Sequence, residues 1–398
     1  MKLAGVIAEY NPFHNGHAYH LAQTRAQGAT HIAVAMSGSF VQRGDAAVCS
    51  KWSRAAAAVQ GGADLVVELP APYALSSART FARAGVFLLN QLGADCVSFG
   101  SEEGDAEALR EAAALSDEAE DSLAMREYLS MGMSYPRARA AAVAQIHGEN
   151  WAEIITKANN LLGIEYIRAV NEINPSLALM TLPRAQALHD EETAGETIAS
   201  ASYVRRLFRK GEFGTMKRYL PDEAFDRYVE EISALRAPVT ERSAERMLLY
   251  RMREMKAGDF ARLPDVSEGL ENRLYRAARE AVSLEDFYMR VKTKRYTMAR
   301  IRRISFCALL GITRESQEGM PGYLRVLAAN GRGMEILNRA KNAASVPIGT
   351  KFADLNRLRP EGIETDIRAT DLYALMMPRI RPCGLDFTEN PVIFPGAL

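Results

Sequence analysis

Short apolar runs alternate with helix-like segments through roughly the first hundred residues, and this alternation constrains the fold more than any other feature of the chain. The apolar runs cover residues 3–8, 31–36, 64–69 and 95–99. Helical periods between them cover residues 17–26, 52–60 and 78–92. Strands that are apolar throughout are typical of a parallel sheet with helices on both faces. The pattern therefore predicts an α/β fold built from βαβ units.

The later part of the chain has a different pattern. A helix over residues 160–173, a strand over 177–182 and a helix that begins near Ser202 complete the first predicted domain. Beyond about residue 210 the strand signals fade and helical periods dominate, for example over residues 243–256 and 270–282. We therefore predict a domain over residues 1–210 and a mainly α-helical region over residues 211–398.

Composition narrows the classes of protein to which the chain can belong. The 398 residues carry 49 Lys and Arg against 49 Asp and Glu, so any nucleic-acid site must be a local patch. The four cysteines lie far apart without metal-ligand spacing, which predicts neither a metal site nor a disulfide scaffold. The N-terminus has no signal-peptide pattern and no apolar stretch reaches membrane-spanning length. We expect a cytoplasmic protein with no membrane contact and no obligate protein partner.

One segment between the first predicted strand and the first predicted helix carries the clearest chemistry, Asn11-Pro12-Phe13-His14-Asn15-Gly16-His17. It is an HxGH element. Gly16 lets the backbone approach a ligand, and the new helix directs free N–H groups at an anion. Two imidazoles there can donate hydrogen bonds to phosphate, as in-line attack on the α-phosphate of a nucleotide requires. This predicts His14 and His17 as catalytic residues, although two histidines at this spacing also occur as polar helix-start residues.

A second element agrees with the first. The segment from Ser200 to Arg205 resembles the SSTxxR-type signature of HxGH nucleotidylyltransferases, in which a serine caps a helix beside the phosphates. The resemblance implies that Ser202 and Arg205 face the triphosphate. A serine followed three residues later by an arginine is also a common helix start.

Six blocks in order make the resemblance more specific. They are EYNPFHNGHAYHL, SGSFVQRGDAAVCSKW, ADLVVELP, FGSE, NNLLGIEY and VKTKRYT, and they run from residue 1 to about residue 310. These blocks are similar to the bacterial tRNA(Met) cytidine acetate ligase family. The resemblance implies a Rossmann-like ATP-binding catalytic domain that converts acetate and ATP to acetyl-adenylate and pyrophosphate. It further implies transfer of the acetyl group to N4 of the wobble cytidine of elongator tRNA(Met), which gives N4-acetylcytidine. Mg²⁺ is inferred from the triphosphate.

The two resemblances together imply a set of ATP contacts. These are Ile7, Ala8, Glu9, Tyr10, Asn11, Pro12, Phe13, His14, Asn15, Gly16, His17, Ala18, Tyr19, His20, Gly100, Asn159, Arg184, Ser202 and Arg205. Two positions depart from the family pattern: Ala158 stands where a proline is usual, and the SAT-type element reads Ser200-Ala201-Ser202. From the residues alone, Asn159 and Asn160 are equally able to contact ATP or to cap the following helix.

A polar loop over residues 37–45 follows the second predicted strand. Arg43 and Lys51 are candidates to neutralise the outer phosphates, and Gln42 or Ser37 to orient a small carboxylate. A surface role for each of these residues is equally open. Trp52 and Phe40 are expected to be core residues.

A basic segment in the helical region provides a candidate RNA-binding site. Six cations and no acid occur within residues 291–303, namely Lys292, Lys294, Arg295, Arg300, Arg302 and Arg303. This is a local electrostatic footprint suited to a phosphate backbone, with Tyr296 available to stack on a base. Most basic helix faces are only solvated, but next to a nucleotide-activating domain the segment favours RNA binding.

Two other functions compete with this interpretation. One is a small-molecule adenylyltransferase of coenzyme biosynthesis, and the other is an RNA-binding protein that has lost catalysis. About 190 further residues with a basic cluster favour a large substrate over the first alternative. Intact His14, Gly16 and His17 argue against the second.

Overall fold

A central sheet organises the chain in a computed structural model, which describes residues 1–183, 195–267 and 269–396. The strands are β1 Leu3–Ala8, β2 His31–Ser37, β3 Phe40–Val41, β4 Asp45–Ala46, β5 Leu65–Leu69, β6 Cys96–Ser101, β7 Ala178–Pro183, β8 Leu324–Ala329, β9 Ile348–Gly349 and β10 Val392–Ile393. The eight-stranded sheet has the order β10-β8-β5-β2-β1-β6-β7, with β9 on β8. Strands β5, β2, β1, β6 and β7 are mutually parallel, as the βαβ pattern predicts.

Helices cover both faces of this sheet. Through the first half they are α1 Asn15–Ala26, α2 Lys51–Gln60, α3 Ala71–Ala74, α4 Ala78–Gln91, α5 Ala106–Glu120, α6 Leu123–Ser130, α7 Tyr135–His147, α8 Glu149–Thr156, α9 Ala158–Ile173 and α10 Ala201–Lys210. Those that follow are α11 Phe213–Met216, α12 Asp222–Ser233, α13 Glu245–Glu254, α14 Ala257–Ala261, α15 Leu270–Glu280, α16 Leu284–Val291, α17 Met298–Leu310, α18 Gly331–Ala340, α19 Phe352–Arg357, α20 Ile363–Met376 and α21 Leu385–Thr388. None of the described helices is long and apolar enough to cross a membrane.

Successive side chains along each strand point to opposite faces of the sheet, so the core has two layers. Every residue of β2 is buried. Val34 and Met36 pack with α2 and helices beyond residue 210, whereas Ala33 and Ala35 face the opposite layer with α4 and α9. Burial on both faces explains why the strand has no polar alternation. Phe40 and Trp52 are buried in the first layer, as expected from the sequence.

The C-terminal part of the chain returns to the sheet, which the sequence patterns did not predict. Strand β8 runs antiparallel to β5, and β10 extends the sheet beside β8. All six residues of β8 are buried, and the strand is as short as the earlier ones. The region beyond residue 210 is otherwise mainly helical, and the domain division at that point stays a prediction.

Candidate active site

A cavity of about 460 Å³ opens where β1, β6 and β7 end. Ligands of open α/β sheets bind at this carboxyl edge of the strands. Of the predicted ATP contacts, those that line the cavity are Ile7, Ala8, Glu9, Tyr10, Asn11, His14, Gly16, His17, Tyr19, His20, Gly100, Asn159, Ser202 and Arg205. Pro12, Phe13, Asn15 and Ala18 are not among its lining residues, and Arg184 lies outside the described residues. The ATP contacts themselves stay predictions.

The His14 and His17 side chains lie against each other at the start of α1. The Nδ1 atom of His14 accepts a hydrogen bond from the Gly16 N–H at 3.1 Å, so His14 caps the helix. The Nδ1 atom of His17 accepts from the His14 N–H at 3.3 Å. The two rings stack with centroids 3.7 Å apart. Because both Nδ1 atoms accept, the proton of each neutral ring is on Nε2.

Gly16 is required by this ring geometry rather than by backbone conformation. A Cβ atom on Gly16 would lie 2.9 Å from the Cε1 atom of His14, closer than carbon atoms pack. The sequence had indicated a glycine that admits a ligand to the backbone. The structure adds that any larger residue displaces the capping imidazole.

Arg54 supports the segments that follow β1 and β2 from inside the protein. The sequence analysis did not identify this residue. This fully buried guanidinium donates to the backbone carbonyls of Glu9 at 2.7 Å, Ser37 at 3.1 Å and Cys49 at 3.0 Å, and to that of Gly38. Burial lowers its pKa. A lone arginine before the alanine run of α2 is the signal that could have found it. It acts as a positioning residue because it ties the ends of β1 and β2 together.

Residues from much later in the sequence hold the start of α1 in place through hydrogen bonds. The Phe13 N–H donates to the Tyr228 hydroxyl at 3.0 Å. The Asn15 amide donates to the carbonyls of Thr197 at 2.9 Å and Arg218 at 3.0 Å. Phe13 and Asn15 therefore hold the HxGH loop in place.

Asn159 and Asn160, which the sequence leaves open, have different environments. Asn159 lines the cavity and donates to the Glu102 side chain. Asn160 is fully buried, and its side-chain oxygen accepts from the N–H groups of Glu102 at 2.9 Å and Glu103 at 3.1 Å. Asn160 is thus a structural residue, and Asn159 is the one placed to meet a ligand.

Helix α10 brings a cation to the cavity. Its cap is Ser200, whose hydroxyl accepts from the Tyr203 N–H at 3.1 Å, so the serine that caps this helix is Ser200 and not Ser202. Ser202 lies in the first turn, because the helix begins at Ala201. The Arg205 guanidinium donates to the Ser202 hydroxyl at 3.0 Å and to the Asn11 carbonyl at 2.8 Å.

Comparison with known proteins connects this site to a family. Residues 1–384 match the family model described as HIGH Nucleotidyl Transferase. A tRNA(Met) cytidine acetate ligase of Acetivibrio thermocellus is 36% identical over 414 residues, spanning 99% of this chain and 100% of that protein. One from Listeria monocytogenes is 37% identical, over 99% and 100% of the two chains. The chain belongs to the tRNA(Met) cytidine acetate ligase family of HIGH nucleotidyl transferases.

A solved member of this family has the same fold. The crystal structure of Thermotoga maritima TmcAL bound with alpha-thio ATP superposes with a TM-score of 0.91 at 32% identity, covering 99% of this chain and 100% of that chain. Family membership and an α/β sheet with a helical C-terminal region, both expected from the sequence, are confirmed.

The loop that contains β3 and β4 contributes Gln42 and Arg43 to the cavity. Ser37 is fully buried and is not among the lining residues, so of the two candidates for the carboxylate Gln42 is the one that faces the cavity. Lys51 is also buried, with its Nζ atom 2.8 Å from Glu68 and 2.9 Å from Asp386. The suggestion that Lys51 neutralises phosphate is therefore wrong, because its charge is already compensated inside the protein.

Some cations of the basic segment already lie beside acidic side chains, which its sequence does not indicate. Lys292 and Lys294 are exposed. Arg303 pairs with Asp265 at 2.8 Å, and Arg302 lies 3.7 Å from Glu241. Tyr296 is buried under the Arg300 guanidinium, which corrects the expectation that it can stack on a base. RNA binding by these cations stays a prediction.

Proposed function

We propose that the protein is an ATP-dependent ligase that activates acetate as acetyl-adenylate and acetylates N4 of the wobble cytidine of elongator tRNA(Met). The observation that carries the proposal is the reciprocally capped His14–His17 pair at the mouth of the cavity, in a chain whose relatives bear that ligase name. Relatives of nearly the full length of this chain support the ligase over a small-molecule adenylyltransferase.

In the first half-reaction, ATP occupies the cavity with its α-phosphate at the start of α1. Backbone N–H groups and the two imidazoles there stabilise charge on the phosphate oxygens, and Arg205 attracts the outer phosphates. Gln42 and Arg43 hold the acetate carboxylate on the opposite side of phosphorus. A carboxylate oxygen forms the new P–O bond as the bond to pyrophosphate breaks.

In the second half-reaction, the cytidine N4 attacks the carbonyl carbon of acetyl-adenylate. The new C–N bond forms, the C–O bond to AMP breaks, and the N4 proton is released to water. Water competes for the same carbonyl, so a site that closes around the intermediate is favoured.

Glu9 fits the role of a ligand for Mg²⁺. Among the described residues that line the cavity, it is the one carboxylate. Magnesium in nucleotide sites is held by one or two carboxylates together with substrate phosphates. When bound, the metal would neutralise charge on the triphosphate, with Glu9 as its protein ligand. No group of three or more His, Cys, Asp or Glu side chains in the described ranges is arranged to hold a metal without substrate.

Acetate-dependent ATP–pyrophosphate exchange, followed by acetyl transfer to an elongator tRNA(Met) transcript, tests the proposal. Exchange that requires acetate and transfer that requires ATP support it. Exchange driven instead by a coenzyme precursor would indicate the small-molecule adenylyltransferase. Absence of exchange with every acid would indicate an RNA-binding protein, and transfer from acetyl-CoA alone would reject the ligase.

A further inference from the structure

A second cleft, of about 720 Å³, adjoins the ATP cavity. One wall comes from α4, α7 and α9, and the other from residues 265–267 and 295–314. Gln42 lines both spaces, and its carbonyl accepts from the Arg303 guanidinium at 3.2 Å. The two spaces therefore meet at the loop that we assign to acetate.

Cations dominate the lining of this cleft. Among the described residues, seven arginines line it against three carboxylates. The arginines are Arg79, Arg139, Arg168, Arg295, Arg300, Arg303 and Arg314, and the carboxylates are Glu120, Glu165 and Asp265. On the α7–α9 wall the arginine charges are compensated, because Arg139 and Arg168 share Glu120 and Glu165. The Nε atom of buried Arg139 has no hydrogen-bond partner in the described chain.

On the other wall, two arginines are held by neutral acceptors. Arg300 donates to the Asp265 carbonyl at 2.8 Å and to the Ser267 hydroxyl at 3.2 Å. Arg314 donates to the Val266 carbonyl at 2.9 Å. Carbonyl and hydroxyl oxygens orient a guanidinium without cancelling its charge, so these contacts prepare a site for an anion.

Arg79 gives the cleft an exposed cation. It lies exposed in the first turn of α4, where a positive charge opposes the helix dipole. Among the residues that the structure describes, Arg79 has no ion pair. An exposed guanidinium without an ion pair among the described residues is available to an external anion.

We propose that this cleft binds the RNA strand next to the cytidine that accepts the acetyl group, with Arg79, Arg300 and Arg314 contacting its phosphates. The proposal rests on the proposed function, because a macromolecular nucleophile must reach the acetyl group beside Gln42. Leu129, Met133 and the ring of Tyr135 line the cleft and provide an apolar surface for an unstacked base. Charge and the shared wall favour RNA over an acidic protein partner.

Arg79→Glu tests the cleft, with Arg332→Glu as its matched control. Arg332 is the second residue of α18, as Arg79 is of α4, and it does not line the cleft. Both variants make the same charge change in the same helical position. The readouts are acetate-dependent exchange, acetyl transfer to an elongator tRNA(Met) transcript, transcript binding as a function of salt, and the thermal unfolding midpoint.

We expect Arg79→Glu to keep wild-type exchange, to unfold at or slightly above the wild-type midpoint, to lose about tenfold or more in transfer, and to lower the log–log salt slope of binding by about one unit. Arg79→Lys should restore most of the binding, whereas Arg332→Glu should match the wild type in exchange, transfer and transcript binding. An Arg79→Glu protein with wild-type affinity and salt slope would overturn the inference, even if transfer falls. Absence of acetylation by the wild type would reject the proposed function, and the binding comparison would still decide the cleft.

Discussion

His14 and His17 use different ring atoms for the fold and for the proposed chemistry. Their Nδ1 atoms accept the backbone N–H groups that start α1. That arrangement selects one tautomer, with the proton of each neutral ring on Nε2, and the stacking of the rings limits their rotation. Donors fixed before ATP arrives need no reorganisation during the reaction, which is the basis of electrostatic catalysis.

The two uses of His14 can be separated by substitution. Asparagine is a good helix cap, so His14→Asn should keep the cap and remove the imidazole donor. We expect acetate-dependent exchange to fall about 10²–10³-fold, or roughly 2–4 kcal/mol, with little change in the thermal unfolding midpoint. His147→Asn, away from the cavity beside Glu118, serves as the control. Exchange within threefold of the wild type would reject His14 as a catalytic residue.

Gly16 allows a test of ring position alone. In Gly16→Ala the new methyl group displaces the His14 ring, because the two carbons would lie 2.9 Å apart. We expect exchange to decrease at least tenfold while the fold is retained, since misplaced catalytic groups lose rate steeply. Gly258 in α14 is the control because a Cβ there meets nothing within 4 Å. Equal exchange by the Gly16→Ala and Gly258→Ala variants would contradict this account.

Lys51 and Arg54 show how far residue patterns predict a site. The HxGH element and the Arg205 helix are local signals, and they lie where the sequence indicated, around one cavity. Lys51 and Arg54 are cations three residues apart on α2 and both are buried, one in an ion pair and one among carbonyls. Many of their partners come from other segments, such as Glu9, Glu68 and Asp386, so the pattern of α2 cannot distinguish them from surface residues.

At the scale of elements, α9 has an unusual beginning. No side chain of its own caps it. The Glu102 carboxylate, from the segment after β6, accepts from the backbone N–H groups of Asn159 at 3.1 Å and Asn160 at 2.8 Å. A carboxylate at a helix N-terminus is favourable. The contact ties the end of β6 to the helix that presents Asn159 to the cavity.

This contact predicts a pH dependence. Burial raises the pKa of Glu102, but hydrogen bonds from Asn159 and Asn160 outweigh burial and lower the pKa below its usual 4.5. A lowered pKa contributes stability at pH values above 4.5, and this contribution is lost as the pH falls through the folded-state value. In thermal unfolding from pH 7 to pH 3, Glu102→Gln should lose less stability on acidification than the wild type. Parallel curves for the two proteins would contradict the cap.

At the scale of the whole molecule, the C-terminal segment is joined to the sheet through buried charges. Lys51 on α2, Glu68 on β5, Arg325 on β8 and Asp386 on α21 form one cluster, with ion-pair distances from 2.5 to 3.2 Å. Two positive and two negative side chains balance one another. Strand β8 was missed from the sequence because its pairing with β5 joins segments more than two hundred residues apart. The cluster thus links the sheet that forms the predicted ATP cavity to the end of the chain.

A double-mutant cycle on this cluster separates structure from catalysis. Lys51→Met leaves an excess of negative charge, and Glu68→Leu an excess of positive charge, so each should cost about 3–5 kcal/mol of stability. The double variant keeps the Arg325–Asp386 pair in balance. We expect its loss of stability in urea to be smaller than the sum of the single losses by about 1–3 kcal/mol. Because Lys51 does not line the cavity, the KM for ATP of the folded double variant should equal that of the wild type. Strictly additive losses would reject the coupling of Lys51 to Glu68 within the buried cluster, and a large rise in KM would show that Lys51 acts on the nucleotide.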